Sequence, residues 1–289
     1  MAEPRDHGLL RPVLIRMMNA RVGSTLLMQL LGAADGVVFD RVYPYEHSYL
    51  TYLARLSEQL GQTDLRALKF NGFVMEDLIY GNSSLLHPLP FEAELVSQTE
   101  LRLEALNGLW RTFSKLTLAR CPDASHYAEK YWGELQPVVD AGIQPVVIDL
   151  VRDPRDVVAS QRAFNQRHSG KLFGRPQAES DEQQDRVLIG AIAMRLAEMR
   201  ATTSASRITV RYEDLLTDTE GTCAAISEVT GLSLDARTAN LRSPSTDAHM
   251  TSASALESIG RWTRDLDEVT VGRIERRLGT AMAAIGYGD

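Results

Sequence analysis

Val146-Val147-Ile148-Asp149-Leu150-Val151-Arg152-Asp153-Pro154-Arg155-Asp156-Val157-Val158-Ala159-Ser160 passes from a nearly unbroken apolar run through a charged turn into a helical pattern. An apolar run from 144 to 151 without alternation reads as a strand buried on both faces, as in a parallel sheet. Asp153 is a good helix N-cap, and Pro154 suits the first helical position, where no N–H is needed. Arg155 and Asp156 then read as partners for neighbours on the helix surface. The segment is a strand, a tight turn and a helix, the repeating unit of an α/β sheet.

A second segment has the same grammar. Val13-Leu14-Ile15-Arg16-Met17-Met18-Asn19 is apolar, and Ala20-Arg21-Val22-Gly23-Ser24-Thr25-Leu26-Leu27 turns it into a helix. Around these two, strands are expected at 13–18, 37–39, 69–74, 144–151 and 207–211. Helices are expected at 24–34, 46–59, 91–120, 133–141, 154–166, 181–202, 219–230 and 266–285. The alternation predicts an α/β fold: one domain over 1–289, with a central parallel sheet covered by helices. A helical insertion is expected near 91–120. The polar stretch 165–182, with Gly170, Gly174 and Pro176, reads as a mobile loop that can act as a lid.

Composition sets the outer bounds. The chain has 289 residues, 44% of them hydrophobic and 24% charged, which is ordinary globular material. A net charge of −7 argues against a general nucleic-acid binder, so an anion site must be local. The two cysteines, Cys121 and Cys223, have no metal-ligand spacing and read as core or semi-buried thiols. No metal cluster, signal core or membrane-length apolar run is visible, and a cytoplasmic protein with no membrane span is expected.

Both turns have the chemistry of anion sites. A helix N-terminus offers unpaired N–H groups and partial positive charge. Gly23 lets backbone approach a ligand closely, Ser24 and Thr25 add hydroxyls, and Arg21 adds a planar fork. Arg152 stands at the end of the other strand, with Ser160 two turns into its helix. A ligand with two separate phosphate groups needs two such cradles. Neither turn is the G-x-x-x-x-G-K-[ST] loop of nucleoside triphosphatases. Met18 stands where the first glycine belongs, and Ser24 follows Gly23 directly. On residue types alone, each turn can also be an ordinary capped helix start.

Taken together, the two segments resemble the sulfotransferases that use 3′-phosphoadenosine 5′-phosphosulfate (PAPS). Arg21–Leu27 is similar to the family's 5′-phosphosulfate loop, approximately Arg-x-Gly-[Thr/Ser]-Thr-Leu-Leu. Val151–Ser160 is similar to its 3′-phosphate segment, approximately Val-Arg-Asp-Pro-Arg-Asp-Val-x-x-Ser. Three further segments agree in order: Glu129-Lys130, as in the bacterial and tyrosylprotein-type branch; Val210-Arg211-Tyr212-Glu213-Asp214-Leu215-Leu216; and Ser258-Ile259-Gly260-Arg261-Trp262. The resemblance spans roughly residues 13–287. It departs from the family pattern at Asn19-Ala20, where Pro or Lys is common, and at Val22, where serine is common.

The resemblance implies a P-loop-like sulfotransferase fold. It also implies transfer of a sulfuryl group to a hydroxyl of a small molecule (a secondary metabolite, sugar or lipid), with adenosine 3′,5′-bisphosphate (PAP) as product and no metal. Carried over by match, Arg21, Gly23, Ser24 and Thr25 hold the 5′-phosphosulfate; Arg152, Ser160 and Arg261 hold the 3′-phosphate; and Tyr212 lies near the adenosine. Lys130 and Arg21 face the transferring group. The base is expected at Glu46, with His47 and His126 as weaker candidates. Trp110 and Trp132 read as packing residues. A kinase-like phosphotransferase and a catalytically silent nucleotide-binding module are the competing readings. Acceptor identity and oligomeric state are not readable.

Overall fold

The first strand, β1 (Arg11–Met17), is buried after its first residue and lies at the centre of the sheet. The computed structural model describes residues 8–59, 69–70, 73–74, 97–167, 180–201, 206–240 and 251–288. Within them β2 (Val37–Val38), β5 (His126–Tyr131), β6 (Val146–Val151) and β7 (Ser206–Arg211) join β1 in the order β2-β5-β1-β6-β7, every pair parallel. The α/β class with a central parallel sheet is therefore as expected. Two short strands, β3 (Lys69–Phe70) and β4 (Phe73–Val74), form a separate antiparallel pair. They correct the expectation of one strand over 69–74.

The strand at β5 was not anticipated. Its sequence His-Tyr-Ala-Glu-Lys-Tyr alternates polar and apolar residues but carries two charges, which hide a central strand from a hydropathy reading. Both charges are buried and each finds partners, as described below.

Helices cover both faces of the sheet. On one side, α1 (Ser24–Gly32), α6 (Asp181–Ala201) and α10 (Glu268–Ala284) bury leucines, isoleucines and methionines against Val13, Ile15, Met17, Ile148 and Leu150. On the other, α2 (Tyr49–Gln59), α3 (Gln98–Leu118) and α4 (Gln136–Asp140) pack Leu50, Leu106, Trp110 and Val138 against Leu14, Tyr127, Tyr131 and Val147. The alternate residues of β1 thus enter two different cores, as a period-2 strand between two layers requires.

The helix expected over 91–120 is α3, begun by a Ser97 side chain that accepts the Glu100 N–H; residues 91–96 lie outside the described residues. Of the loop expected at 165–182, residues 165–167 close α5 (Pro154–Arg167) and 181–182 open α6. The stretch 168–179 lies outside the described residues. Helix α10 starts later than expected, at an Asp267 cap. The short helices α7 (Tyr212–Thr217) and α9 (Trp262–Asp265) flank α8 (Thr219–Thr230) in the chain. Cys223 is buried, whereas Cys121 is exposed, against expectation.

Topology prepares a crevice. Helix α1 leaves β1 toward β2, whereas the chain after β6 continues to β7 on the opposite flank. In open parallel sheets such a reversal opens a ligand site at the carboxyl ends of the strands. One buried ion pair stitches the central strands below it. Arg16 and Asp149 are ladder neighbours, and the guanidinium meets the carboxylate twice, at 2.7 and 3.0 Å. Arg207 of β7 reaches the same carboxylate. Removing one partner of a buried pair leaves an uncompensated charge, costing about 3–5 kcal/mol. Asp149→Ala is therefore expected to lower the urea midpoint by that much stability at an unchanged denaturant slope, and circular dichroism during titration reads it.

Candidate active site

The turn after β1 is built for close approach. Gly23 is the N-cap of α1 at φ 89°, a left-handed conformation that costs glycine nothing. A Cβ there would stand 2.3 Å from Cδ2 of Tyr212, so the tyrosine ring occupies the space a side chain would need. Arg21 is also left-handed, at φ 70°, and for a residue with a Cβ this costs about 1–2 kcal/mol. Its guanidinium lies over Phe164 at 5.1 Å and donates to Ser160 Oγ at 3.3 Å. The strained backbone thus aims the Arg21 side chain across to α5, towards the second turn.

Arg152 follows β6 directly and is buried. It donates to the Arg21 carbonyl at 3.0 Å and to the Ser258 carbonyl at 2.5 Å, and its guanidinium lies 4.5 Å over the Tyr212 ring. Ser160 also meets Thr251 Oγ1 at 3.3 Å, and Arg261 donates to that same hydroxyl at 2.7 Å. Arg261 is anchored by Asp265 at 2.7 Å. Arg21, Arg152, Ser160 and Arg261, spread over 240 positions, therefore converge on one spot.

The C-terminal segment that delivers Arg261 is held by Asp156. Expected on the helix surface, Asp156 is instead 1% exposed and accepts the N–H groups of Gly260 at 2.8 Å and Trp262 at 3.0 Å. Burial pushes its pKa up, against those two hydrogen bonds and Arg152. Arg155 does pair with neighbours, bonded to Asp153 and Glu275 and stacked on Trp262 at 4.1 Å, but its side chain is only 11% exposed. Asp153 caps α5 as expected, accepting the Arg155 N–H at 2.9 Å.

On the other side of the α1 N-terminus, Lys130 at the end of β5 is almost fully buried. Its Nζ donates to Glu46 Oε1 at 2.6 Å, the Pro44 carbonyl at 2.7 Å and Thr25 Oγ1 at 3.4 Å. Burial lowers the Lys130 pKa, and Glu46 opposes that shift. The Glu46 side chain is 49% exposed, against 2% for Lys130, so the carboxylate is accessible from outside. Glu46 precedes α2 rather than opening it, correcting the expected helix start.

Glu129 fixes this arrangement. Its buried carboxylate accepts the N–H groups of Leu50 and Thr51 and the hydroxyls of Thr51 and Tyr127, all within 2.7–2.9 Å. It therefore caps α2 from the neighbouring strand, where a carboxylate suits the positive helix end. Burial raises its pKa, and the four hydrogen bonds work against that. Ser48 adds a bond to the Lys130 carbonyl at 2.7 Å.

Excess positive charge marks the crevice. Burial first, then repulsion from Arg152, lowers the Arg21 pKa to about 10. Arg152 Nε is buried and has no partner among the described residues. A dianion at this spot would relieve both, so the residues present fit a ligand with separate phosphates.

A protein-family model described as "Sulfotransferase family" matches residues 19–236. The chain belongs to the sulfotransferase family. No curated protein matches the chain. Solved structures with likeness to the chain include the sulfotransferase domain of the Synechococcus PCC 7002 olefin synthase, at 16% identity over 96% of this chain and 98% of that one, TM-score 0.47. Another is the sulfotransferase domain from the curacin biosynthetic pathway, at 12% identity over 94% and 98%, TM-score 0.49. A third is retinol dehydratase in complex with androsterone and the inactive cofactor PAP, at 16% identity over 95% and 82%, TM-score 0.40.

Several parts of this sulfotransferase site escaped sequence reading. Thr251 and Gln161 lie in no quoted motif, whereas Asp156, Glu129 and Ser258 lie within quoted motifs but were given no role in the site. Tyr212, expected near a nucleoside, is wedged between Gly23 and Arg152, with its hydroxyl 3.0 Å from Ser258 Oγ. His126 stands at the opposite end of β5 from Lys130 and bonds Ser125 and the Thr230 carbonyl, which removes it as a base. His47 is exposed and paired with Asp40. Trp110 is buried as expected, but Trp132 is 41% exposed.

Gly23→Ala tests the cradle. The added methyl meets Tyr212 and strains the left-handed N-cap, so affinity for PAP is expected to fall at least about tenfold, one 1.4 kcal/mol step. Isothermal calorimetry reads the affinity, and an unchanged far-UV spectrum excludes unfolding.

Proposed function

We propose that this sulfotransferase moves a sulfuryl group from PAPS to a hydroxyl of a small-molecule acceptor, with Glu46 as general base. The observation that carries this reading is the meeting of Arg21, Arg152, Ser160 and Arg261 on one side of the α1 N-terminus, with the Lys130–Glu46 pair on the other. Two anion-binding ends separated by a helix start suit a 3′,5′-bisphosphorylated nucleoside.

Arg152, Ser160 and Arg261 bind the 3′-phosphate. The N–H groups of the α1 start, with Ser24, Thr25 and Arg21, bind the 5′ end. PAPS supplies an activated sulfuryl group, whose S–O bond to the 5′-phosphate breaks as the acceptor oxygen bonds to sulfur. Lys130 is set 3.4 Å from Thr25 Oγ1, where it supplies positive charge to the oxygen that becomes negative. Glu46 takes the acceptor's proton from the exposed side. The Glu129 cap on α2 and the Ser48–Lys130 bond keep carboxylate and ammonium in register. In-line group transfer of this kind needs mainly positioning and charge stabilisation. The protein is expected to act without a metal, because in-line sulfuryl transfer here draws its positive charge from Arg21 and Lys130. No helix among the described residues is long and apolar enough to cross a membrane.

Calorimetric titration with PAP, adenosine 5′-monophosphate and ATP tests the donor site. PAP is expected to bind best, and Arg152→Ala to weaken it about 10–100-fold, the equivalent of one or two charge-assisted hydrogen bonds. A preference for ATP with magnesium would replace this reading with a phosphotransferase. Glu46→Gln is expected to reduce kcat about 10²–10⁴-fold at unchanged PAP affinity, the usual contribution of a general base. Near-normal turnover in that variant would remove Glu46 from the mechanism.

A further inference from the structure

Asp153 caps α5, and its own backbone N–H needs an acceptor too. In a capping box the third helical residue reaches back to that N–H. Here the third residue is Asp156, and its two oxygens are taken by the N–H groups of Gly260 and Trp262. The Asp153 N–H donates instead to Oε1 of Glu213, 60 positions away, at 3.1 Å. The preceding N–H, that of Arg152, donates to Met18 Sδ at 3.5 Å, a weak acceptor. Of the two side chains that receive the backbone of this turn, Glu213 is the strong one, because it is a carboxylate.

Glu213 is itself held from behind. Its other oxygen, Oε2, accepts the Tyr287 hydroxyl, and the two residues are 8% and 7% exposed. Burial first, then the Glu213 charge, pushes the Tyr287 phenol up, so its hydroxyl stays a donor. The turn after α10 aims that ring inward. Gly286, left-handed at φ 83°, donates to the Ala283 carbonyl at 3.2 Å, and the Tyr287 N–H donates to the Met282 carbonyl at 2.9 Å. These are the paired bonds of a Schellman helix end, which fold the residue after the glycine back onto the helix. The Arg211 guanidinium lies over the ring at 4.3 Å. Beside Glu213 in α7, Tyr212 stacks on Arg152. Helix α7 therefore meets this turn twice, at the Arg152 guanidinium and at the Asp153 N–H.

We propose that Tyr287 is a positioning residue for the 3′-phosphate end of the donor site, acting through Glu213 on the turn that aims Arg152. The proposal rests on the donor reading above and deepens it. A carboxylate bonded through one oxygen turns easily about its last torsion, which is broad. The second bond, from Tyr287, fixes that torsion and so fixes where the Asp153 N–H lies. Arg152, one residue earlier, is then held with its guanidinium between the carbonyls of Arg21 and Ser258.

Calorimetry on the parent and on Tyr287→Phe, which keeps the ring and removes the hydroxyl, compares PAP with adenosine 5′-monophosphate, which lacks the 3′-phosphate. PAP affinity is expected to fall about tenfold and that of the monophosphate to stay within about twofold, so the gain from the 3′-phosphate shrinks. Glu213→Gln keeps an acceptor for the Asp153 N–H and is expected to bind PAP within about threefold of the parent, whereas Glu213→Ala loses at least about tenfold. Adding Tyr287→Phe to Glu213→Ala is expected to cause no further loss, because the tyrosine acts through the carboxylate. A Tyr287→Phe protein that melts lower but keeps the parent's ratio of PAP to monophosphate affinity overturns the proposal, and so do independent losses in the double variant. Amide hydrogen exchange at Asp153, read by NMR without ligand, separates this proposal from the donor reading. If PAP fails to bind the parent, the donor reading falls. Faster exchange at Asp153 in Tyr287→Phe, with the β1 amides unchanged, then upholds the tyrosine's hold on the turn, and unchanged exchange overturns it.

Discussion

Arg152 is the residue on which the site depends. Its buried guanidinium bonds the carbonyl of Arg21 in the first turn and that of Ser258 in the C-terminal segment, and it stacks on Tyr212 from the segment after β7. Three parts of the chain, up to 131 positions away, are therefore clamped to the end of one strand. Its two hydrogen bonds go to carbonyls rather than carboxylates, so the positive charge is fixed in place without being neutralised. Repulsion with Arg21 is the cost of that arrangement, and an anionic ligand relieves it.

Three buried carboxylates hold the surroundings of Arg152 in place. Asp156 receives the backbone of residues 260 and 262 and so delivers Arg261. Asp149 pins β1 to β6 through Arg16, which sets the distance between the two anion-binding turns. Glu129 draws α2 onto β5, which brings Glu46 to Lys130. Each carboxylate is buried and fully hydrogen-bonded, the condition under which a buried charge is tolerated. Because these groups bond backbone N–H or ladder neighbours, they transmit strand register to the site and fix its spacing.

An asymmetry follows between the two sides of the turn. The donor side is dense in cations and closed by hydrogen bonds. A cleft beside α6 is apolar, with its charges mutually paired. Gln161 and Asn19 form the seam between them.

The sequence by itself determined the parallel α/β class, the two strand–turn–helix segments and the family. Those features are local: apolar runs, a cap, a proline at the first helical position, a glycine and hydroxyls at a helix start. It also placed Arg21, Lys130, Arg152, Ser160 and Arg261 on a short roster by motif. It missed β5, because two buried charges break the apolar signal of a central strand. It read Asp156 as a surface partner and Trp132 as packing, because residue type does not say which way a side chain turns. Only the tertiary structure decided that Asp156 faces inward, that Glu129 caps a helix 80 residues earlier in the chain, and that Thr251 and Ser258 complete the arginine cluster. These depend on strand order and register, which set long-range distances that no local pattern encodes.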